Sequence, residues 1–285
     1  MIYSNLKINN KPISRLGFGC WALSKSGWKD VNLDSAYATL SMAYQHGITI
    51  YDTAPIYGFG KSEEILGTVL KDIRDKIIIC TKFGLIWNEK GVVSHNISPD
   101  SLMFEIDNSL RRLQTDYIDL YQIHWPDNKT EISLVLKKLA ELKNEGIIKN
   151  IGISNFSLNL LQQSMDYLKI DAVQYKYNIF EREIESDIIP FCKKNQIILL
   201  AYSPLAQGII SGKVKSDYIT SKNDIRRFNP LLNDKTVFDK VSSLGKSALK
   251  EGLSFVLNNN VVTSALVSMT KENHLIENCK IVSEI

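Results

Sequence analysis

The stretch Ile48–Gly58, ITIYDTAPIYG, opens on β-branched and apolar residues that read as a buried strand. It then runs into a carboxylate, Asp52, and five residues later reaches Tyr57. A buried carboxylate is costly unless a cation pairs with it. Either the strand ends at Asp52 and the acid caps a turn, or a partner stands elsewhere in the chain. The choice depends on what the other strands carry at the same place.

Working outward, seven further stretches read as strands: SRLGFGC (14–20), KIIICTK (76–82), YIDLYQIH (117–124), IKNIGIS (148–154), DAVQYKYN (171–178), IILLAYS (197–203) and VTSALVS (262–268). Segments with helical spacing lie between them, such as DSAYATLSMAYQHG (34–47) and PDSLMFEIDNSLRRL (99–113). Gly47 and Gly146 follow such segments where helices commonly end. Ser62 precedes Glu63 and Glu64, charges that favour a first helical turn. Strands alternating with helices imply a parallel sheet, and eight strands are the number that closes a (β/α)8 TIM-type barrel. An open doubly wound sheet is the rival. Its G-x-G-x-x-G fingerprint is missing, because GFGCWA (17–22) holds only the first pair of glycines. IYGFGKSEE (56–64) resembles a phosphate loop, but Pro55 replaces its first glycine. The sequence therefore predicts one barrel domain over residues 1–285. An N-terminal β-hairpin, turning at Asn9-Asn10, is expected to plug its lower end.

The bulk properties narrow the function. The chain has 285 residues, 44% of them hydrophobic, and a formal net charge of +3. No Lys/Arg run suggests a nucleic-acid partner. No apolar run approaches the roughly 20 residues that span a bilayer, and the N-terminus lacks a signal segment. Cys20, Cys80, Cys192 and Cys279 are far apart with no C-x-x-C pair, which points to reduced thiols, a cytoplasmic setting and no metal site.

In a barrel the C-terminal strand ends converge on one mouth, where barrel enzymes keep their active sites. There the sequence places Asp52 with Tyr57 after it, Lys82, His124, Ser154-Asn155, Gln174 and Tyr202-Ser203. Singly, each has an ordinary structural explanation. Jointly, an acid, a lysine, a histidine and a tyrosine on successive strand ends suit one reaction. A carbonyl that accepts hydride becomes an alkoxide and needs a proton. A free tyrosine, with a pKa near 10, is a weak donor at neutral pH. An adjacent ammonium lowers that pKa, so Lys82 is expected to activate Tyr57 while Asp52 holds Lys82. His124 is expected to hydrogen-bond the substrate oxygen, a contact worth about 3 kcal/mol.

The motifs YDTAPIYGFGKSEEILG (51–67), TKFG (81–84), YIDLYQIHWPD (117–127), IGISNF (151–156) and YSPLAQGIISGK (202–213) resemble, in order, those of the aldo-keto reductases. The resemblance runs from about Ser14 to Asn278. It implies a TIM-type barrel, NAD(P)H bound without a Rossmann domain, and a catalytic tetrad of Asp52, Tyr57, Lys82 and His124. It implies that Ser154, Asn155 and Gln174 bind the nicotinamide carboxamide and that Tyr202 stacks on the ring. Ser203, Leu205, Gly208 and Lys213 would touch the diphosphate. In the segment after the eighth strand, Lys271, His274, Glu277 and Asn278 would hold the adenosine end. Basic residues are sparse there, with Ser268 and Thr270 at positions that are often basic. NADPH is therefore expected to be preferred by a reduced margin, with NADH also usable and the preference growing as pH falls. The substrate is expected to be a small carbonyl compound, with sugars and their derivatives among the candidates.

Trp21, Trp28, Phe83, Trp87 and Trp125 are candidates for an aromatic mouth that also holds Tyr57 and His124. Lys25, Lys29, Arg226 and Arg227 are candidates for its rim. Compared with the family, the helix before the eighth strand looks clipped and the C-terminal tail short. Two other functions compete: a cofactor-sensing regulatory subunit of the same fold, and a Schiff-base barrel enzyme using Lys82.

Overall fold

The computed structural model describes all residues except 25, 29, 30, 217, 219–221 and 223. A hairpin comes first, β1 (Tyr3–Ile8) and β2 (Lys11–Ser14), antiparallel to each other. Asn9 and Asn10 take left-handed φ values of 50° and 59°, as a two-residue hairpin turn of matching twist requires. Ile8 and Ile13 are fully buried and cluster with Ile50, Ile78, Leu120 and Leu200 of the barrel interior. Asn9 Nδ2 and Lys11 Nζ each donate to the buried Asp119 carboxylate at 2.8 Å. The expected plug is in place.

Among the described residues, eight parallel strands close into a barrel. Four of them are β3 (Leu16–Gly19), β4 (Ile50–Asp52), β5 (Ile78–Phe83) and, after a small inserted hairpin of β6 (Leu85–Trp87) and β7 (Val93–His95), β8 (Ile118–Ile123). The others are β9 (Ile148–Ser154), β10 (Ala172–Lys176), β11 (Ile198–Tyr202) and β12 (Val262–Val267), which pairs with β3. Around them lie α1 (Leu33–Ala43), α2 (Lys61–Val69), α3 (Pro99–Leu113), α4 (Ile132–Asn144) and α5 (Leu158–Tyr167). The ring continues with α6 (Ile188–Asn195), α7 (Lys235–Leu244), α8 (Ala248–Asn258) and α9 (Glu272–Ser283). The helix before β12, α8, has 11 residues, and α7 packs against it.

Local signals account for the helix ends. Ser98 caps α3 by accepting from the Ser101 backbone N–H, Pro99 fills its first turn, and Gln114 closes it in the left-handed region. Outward-facing side chains of the strands, such as Tyr51, Tyr121 and Ile153, pack against the helices. Inward-facing ones alternate with them, so Lys82 and Gln122, paired in register, both point into the barrel.

One buried acid sits under the mouth. Glu105 on α3 is 4% exposed. Its Oε1 accepts from the Gly84 backbone N–H (2.9 Å) and from Ser101 Oγ (3.1 Å). Its Oε2 and the buried hydroxyl of Tyr121 have no hydrogen-bond partner among the described residues. Burial pushes the Glu105 carboxyl up to about 7, against the opposing Gly84 and Ser101 bonds. A raised carboxyl contributes stability that is full below about pH 4.5 and lost as pH rises through about 7. The swing is about 3 kcal/mol at most. Glu105→Gln keeps an acceptor for Gly84 and removes the buried charge. It should be more stable than wild type at pH 8 and no more stable at pH 5, by denaturant titration. Equal stability of the two proteins at pH 8 would refute this account of Glu105.

Candidate active site

Asp52, the last residue of β4, has its partner. Lys82 on β5 is fully buried, and its Nζ lies 2.9 Å from both Asp52 carboxylate oxygens and from the Thr53 carbonyl oxygen. Burial, the largest single cause, would pull the ammonium pKa down, but the fields of Asp52 and Tyr57 and the hydrogen bond to Asp52 together outweigh it, and the net direction is up. Lys82 stays charged. Its Nζ lies 5.3 Å from the centroid of the Tyr57 ring. That ring stacks on Trp21 (5.3 Å, 15°) and meets His124 edge-on (6.0 Å, 84°). All four side chains of the expected tetrad are thus brought together.

The electrostatics correct one expectation. Tyr57 is pushed up to about 12 rather than down. Burial is the largest cause, Lys82 opposes it, and Asp52 adds to it. Lys82 acts in the expected direction, but against a larger desolvation than sequence alone suggests. His124 is held well below its usual range by burial, then by Lys82 and His95. It is a neutral imidazole, suited to donating a hydrogen bond rather than a proton.

Asp52, Tyr57 and His124 line a cleft of about 660 Å³ at the C-terminal strand ends, with Lys82 fully buried behind them. Ser154 Oγ donates to the Gln174 carbonyl at 2.9 Å, and Asn155 Nδ2 donates to Ser154 Oγ at 2.9 Å. Tyr202 hydroxyl donates to Asn155 Oδ1 at 2.9 Å. Gln174 Nε2 reaches across the barrel to Asp52 Oδ1 at 2.7 Å. Ser203, Ala206 and Gln207 adopt left-handed φ values of 50°, 46° and 55°, followed by Gly208 at 99°. Such a run of strained backbone marks a surface shaped for a ligand. Leu205, Gly208 and Lys213 face the cleft, and so do His274 and Asn278 of α9. Lys271 and Glu277 are exposed and stand outside its wall. Both act on the cleft at a distance: Glu277 raises and Lys271 lowers the pKa of Lys213, whose net shift, led by burial, is downward.

Of the aromatic candidates, Trp21, Trp28 and Trp125 line the cleft. Phe83 does not: it is 1% exposed and stacks on Tyr121 behind the barrel wall. Trp87 packs instead on Phe59 at the rim. Arg226 lines the cleft with its charge paired to Asp224 at 2.6 Å, whereas Arg227 lies over Phe228. Lys25 and Lys29 fall outside the described residues. Sequence reasoning missed Leu85 and Val93 of the inserted hairpin, and Lys176 at the end of β10, which all line the cleft. The turn signal Asn88–Gly91 (NEKG) between LIW and VSH was the available clue.

The family model for the aldo/keto reductase family matches residues 15–284. The chain belongs to the aldo/keto reductase family. It is 35% identical to aldo-keto reductase YhdN of Bacillus subtilis, over 96% of this chain and 87% of that protein. It is 37% identical to an NADH-specific methylglyoxal reductase of Escherichia coli, over 73% of this chain and 68% of that protein. The structure of a glycerol dehydrogenase from Gluconobacter oxydans superposes with a TM-score of 0.86, at 34% identity, covering 98% of this chain and 89% of that one. As an aldo/keto reductase the chain reduces a carbonyl group to an alcohol with NAD(P)H. The relatives lend no support to the regulatory-subunit alternative.

The residues present fit the dinucleotide. Polar groups around Gln174 and Asn155 stand next to the tetrad, the strained Ser203–Gly208 backbone follows, and Lys213 and His274 stand beyond it. The cleft thus offers an amide-binding end, a backbone cradle and a cationic end, as a phosphorylated dinucleotide needs.

Proposed function

We propose that Tyr57, Lys82, Asp52 and His124 carry the reduction of a small aldehyde or ketone, with NADPH preferred over NADH. One observation carries this reading: a fully buried ammonium, Lys82, tied to Asp52 and facing the ring of Tyr57. The bound dinucleotide supplies hydride. Neutral His124 donates a hydrogen bond to the carbonyl oxygen and orients it beside the Tyr57 hydroxyl. Tyr57 gives its phenolic proton to the oxygen as negative charge develops there, and Lys82 stabilises the phenolate left behind. Asp52 keeps Lys82 protonated and fixed. Trp21, Trp28 and Trp125 exclude water from the reacting carbon.

The names of the methylglyoxal reductase and the glycerol dehydrogenase support short, oxygen-rich carbonyl compounds as substrates. The four free cysteines support a cytoplasmic setting. A panel of short 2-oxoaldehydes, hydroxyaldehydes and aromatic aldehydes, followed by NADPH oxidation, tests the proposal. No turnover on any of them would sink it.

The cofactor preference rests on Lys213 and Lys271 rather than on His274. Burial, Lys213 and Lys271, in that order, press the His274 pKa down to about 4, so the ring is neutral across pH 6–8. The ligand's 2′-phosphate itself begins to lose its second charge near pH 6. The NADPH/NADH affinity ratio should therefore stay level or fall slightly from pH 8 to 6, which revises the expected growth. Lys271→Ala should lower the ratio, by less than the roughly tenfold weight of one charged hydrogen bond, because Lys271 stands outside the cleft wall. Dissociation constants for both cofactors at the two pH values check this. A ratio that grows as pH falls, or that Lys271→Ala leaves unchanged, goes against it.

A further inference from the structure

We infer that Gln174 is a positioning residue for the proton-donating machinery, in addition to any contact with the cofactor. The inference rests on the proposed tetrad. Gln174 is 2% exposed, and its Nε2 lies 2.7 Å from Asp52 Oδ1, across the barrel from β10 to β4. The carboxylate of Asp52 can only accept, so the amide must present its N–H to it. The same oxygen takes Lys82 Nζ at 2.9 Å. Asp52 thus has two fixed donors on one oxygen, from two strands that do not neighbour each other in the barrel.

Two consequences follow. With one N–H of Nε2 committed to Asp52, Gln174 keeps its Oε1 and its second N–H for the cleft. A ligand donating to Oε1 polarises the amide and strengthens its bond to Asp52. Filling the carboxamide position then tightens the Asp52–Lys82 pair. Second, the bond draws negative charge from the Asp52 carboxylate, which adds to burial in holding Tyr57 up. Without it Asp52 weighs more on the phenol, which becomes a weaker acid.

The test uses Gln174→Met, which keeps the length and removes the hydrogen bond. In the cofactor-free protein, a double-mutant cycle with Asp52→Asn on unfolding free energy should be non-additive. Gln174→Met should lower the folding equilibrium constant about tenfold with Asp52 present, the low end of a bond to a charged group, and clearly less with Asp52→Asn. The alkaline limb of the kcat profile for reduction should also move to higher pH, a shift that a packing role or a carboxamide contact would not produce. If Gln174→Met does not fold, Gln174→Glu serves. Two carboxyls at this distance cannot both ionise, so that variant should lose stability from pH 5 to 8 relative to wild type. An additive cycle with an unmoved alkaline limb, or a Gln174→Glu protein whose stability relative to wild type ignores pH, overturns the inference. The cycle needs no substrate, so failure of the proposed reaction shows separately, as absent turnover in the wild type.

Discussion

Tyr57→Phe is expected to lower kcat for carbonyl reduction by about 10²–10⁴, the usual weight of a positioned general acid. The cofactor dissociation constant should barely move. The ring keeps its stack on Trp21 and its edge contact with His124, and only the hydroxyl leaves. The pH dependence of the wild type adds a second check. In the cofactor-free protein burial holds Tyr57 at about 12, so the phenol carries its proton throughout the neutral range. Reduction, which spends that proton, should be flat from pH 6 to 8. Alcohol oxidation needs the phenolate and should climb with pH over the same interval. Steady-state rates in both directions, with cofactor binding measured separately, would show this. Near-wild-type kcat in Tyr57→Phe on a good substrate would remove Tyr57 from the role.

The parts of the site that could be read from sequence are those fixed by short-range pattern. Strand ends are legible because each strand is a brief β-branched run bounded by polar residues. A barrel then collects those ends without further information, so Asp52, Lys82, His124 and Gln174 could be placed together. The Asn9-Asn10 turn was legible because only a few residue types tolerate its backbone. What escaped depends on distance through space. The inserted hairpin has strands of three residues, and Val93–His95 is exposed throughout, so no alternation announces it. The Gln174–Asp52 bond joins residues 122 positions apart. His274 looks like a titrating phosphate ligand until its burial is seen, with Lys213 and Lys271 beside it. Tyr57 was read correctly for its partner and wrongly for its net shift, because the depth of desolvation is not written in ITIYDTAPIYG.

Lys82→Met should be as damaging to turnover as loss of the tyrosine, and it should also destabilise the fold. Lys82 is fully buried and Asp52 is 4% exposed. Without the ammonium, Asp52 keeps, among the described residues, only the neutral amide of Gln174 as a side-chain donor. An uncompensated buried carboxylate costs about 3–5 kcal/mol. Part of that cost is avoidable by taking up a proton, which raises the Asp52 pKa above that of the unfolded chain. A raised carboxyl gives stability at low pH that fades as pH rises through the folded pKa. The deficit of Lys82→Met against wild type should therefore be larger at pH 8 than at pH 5. Adding Asp52→Asn removes the stranded charge and should recover most of the stability. It should recover no activity, because nothing then stabilises the Tyr57 phenolate. Denaturant titrations of the two single variants and the double variant form a closed cycle. Additive losses in that cycle would mean that Asp52 and Lys82 do not act as a pair. The carboxylate within ITIYDTAPIYG would then have to be explained as a turn former after all.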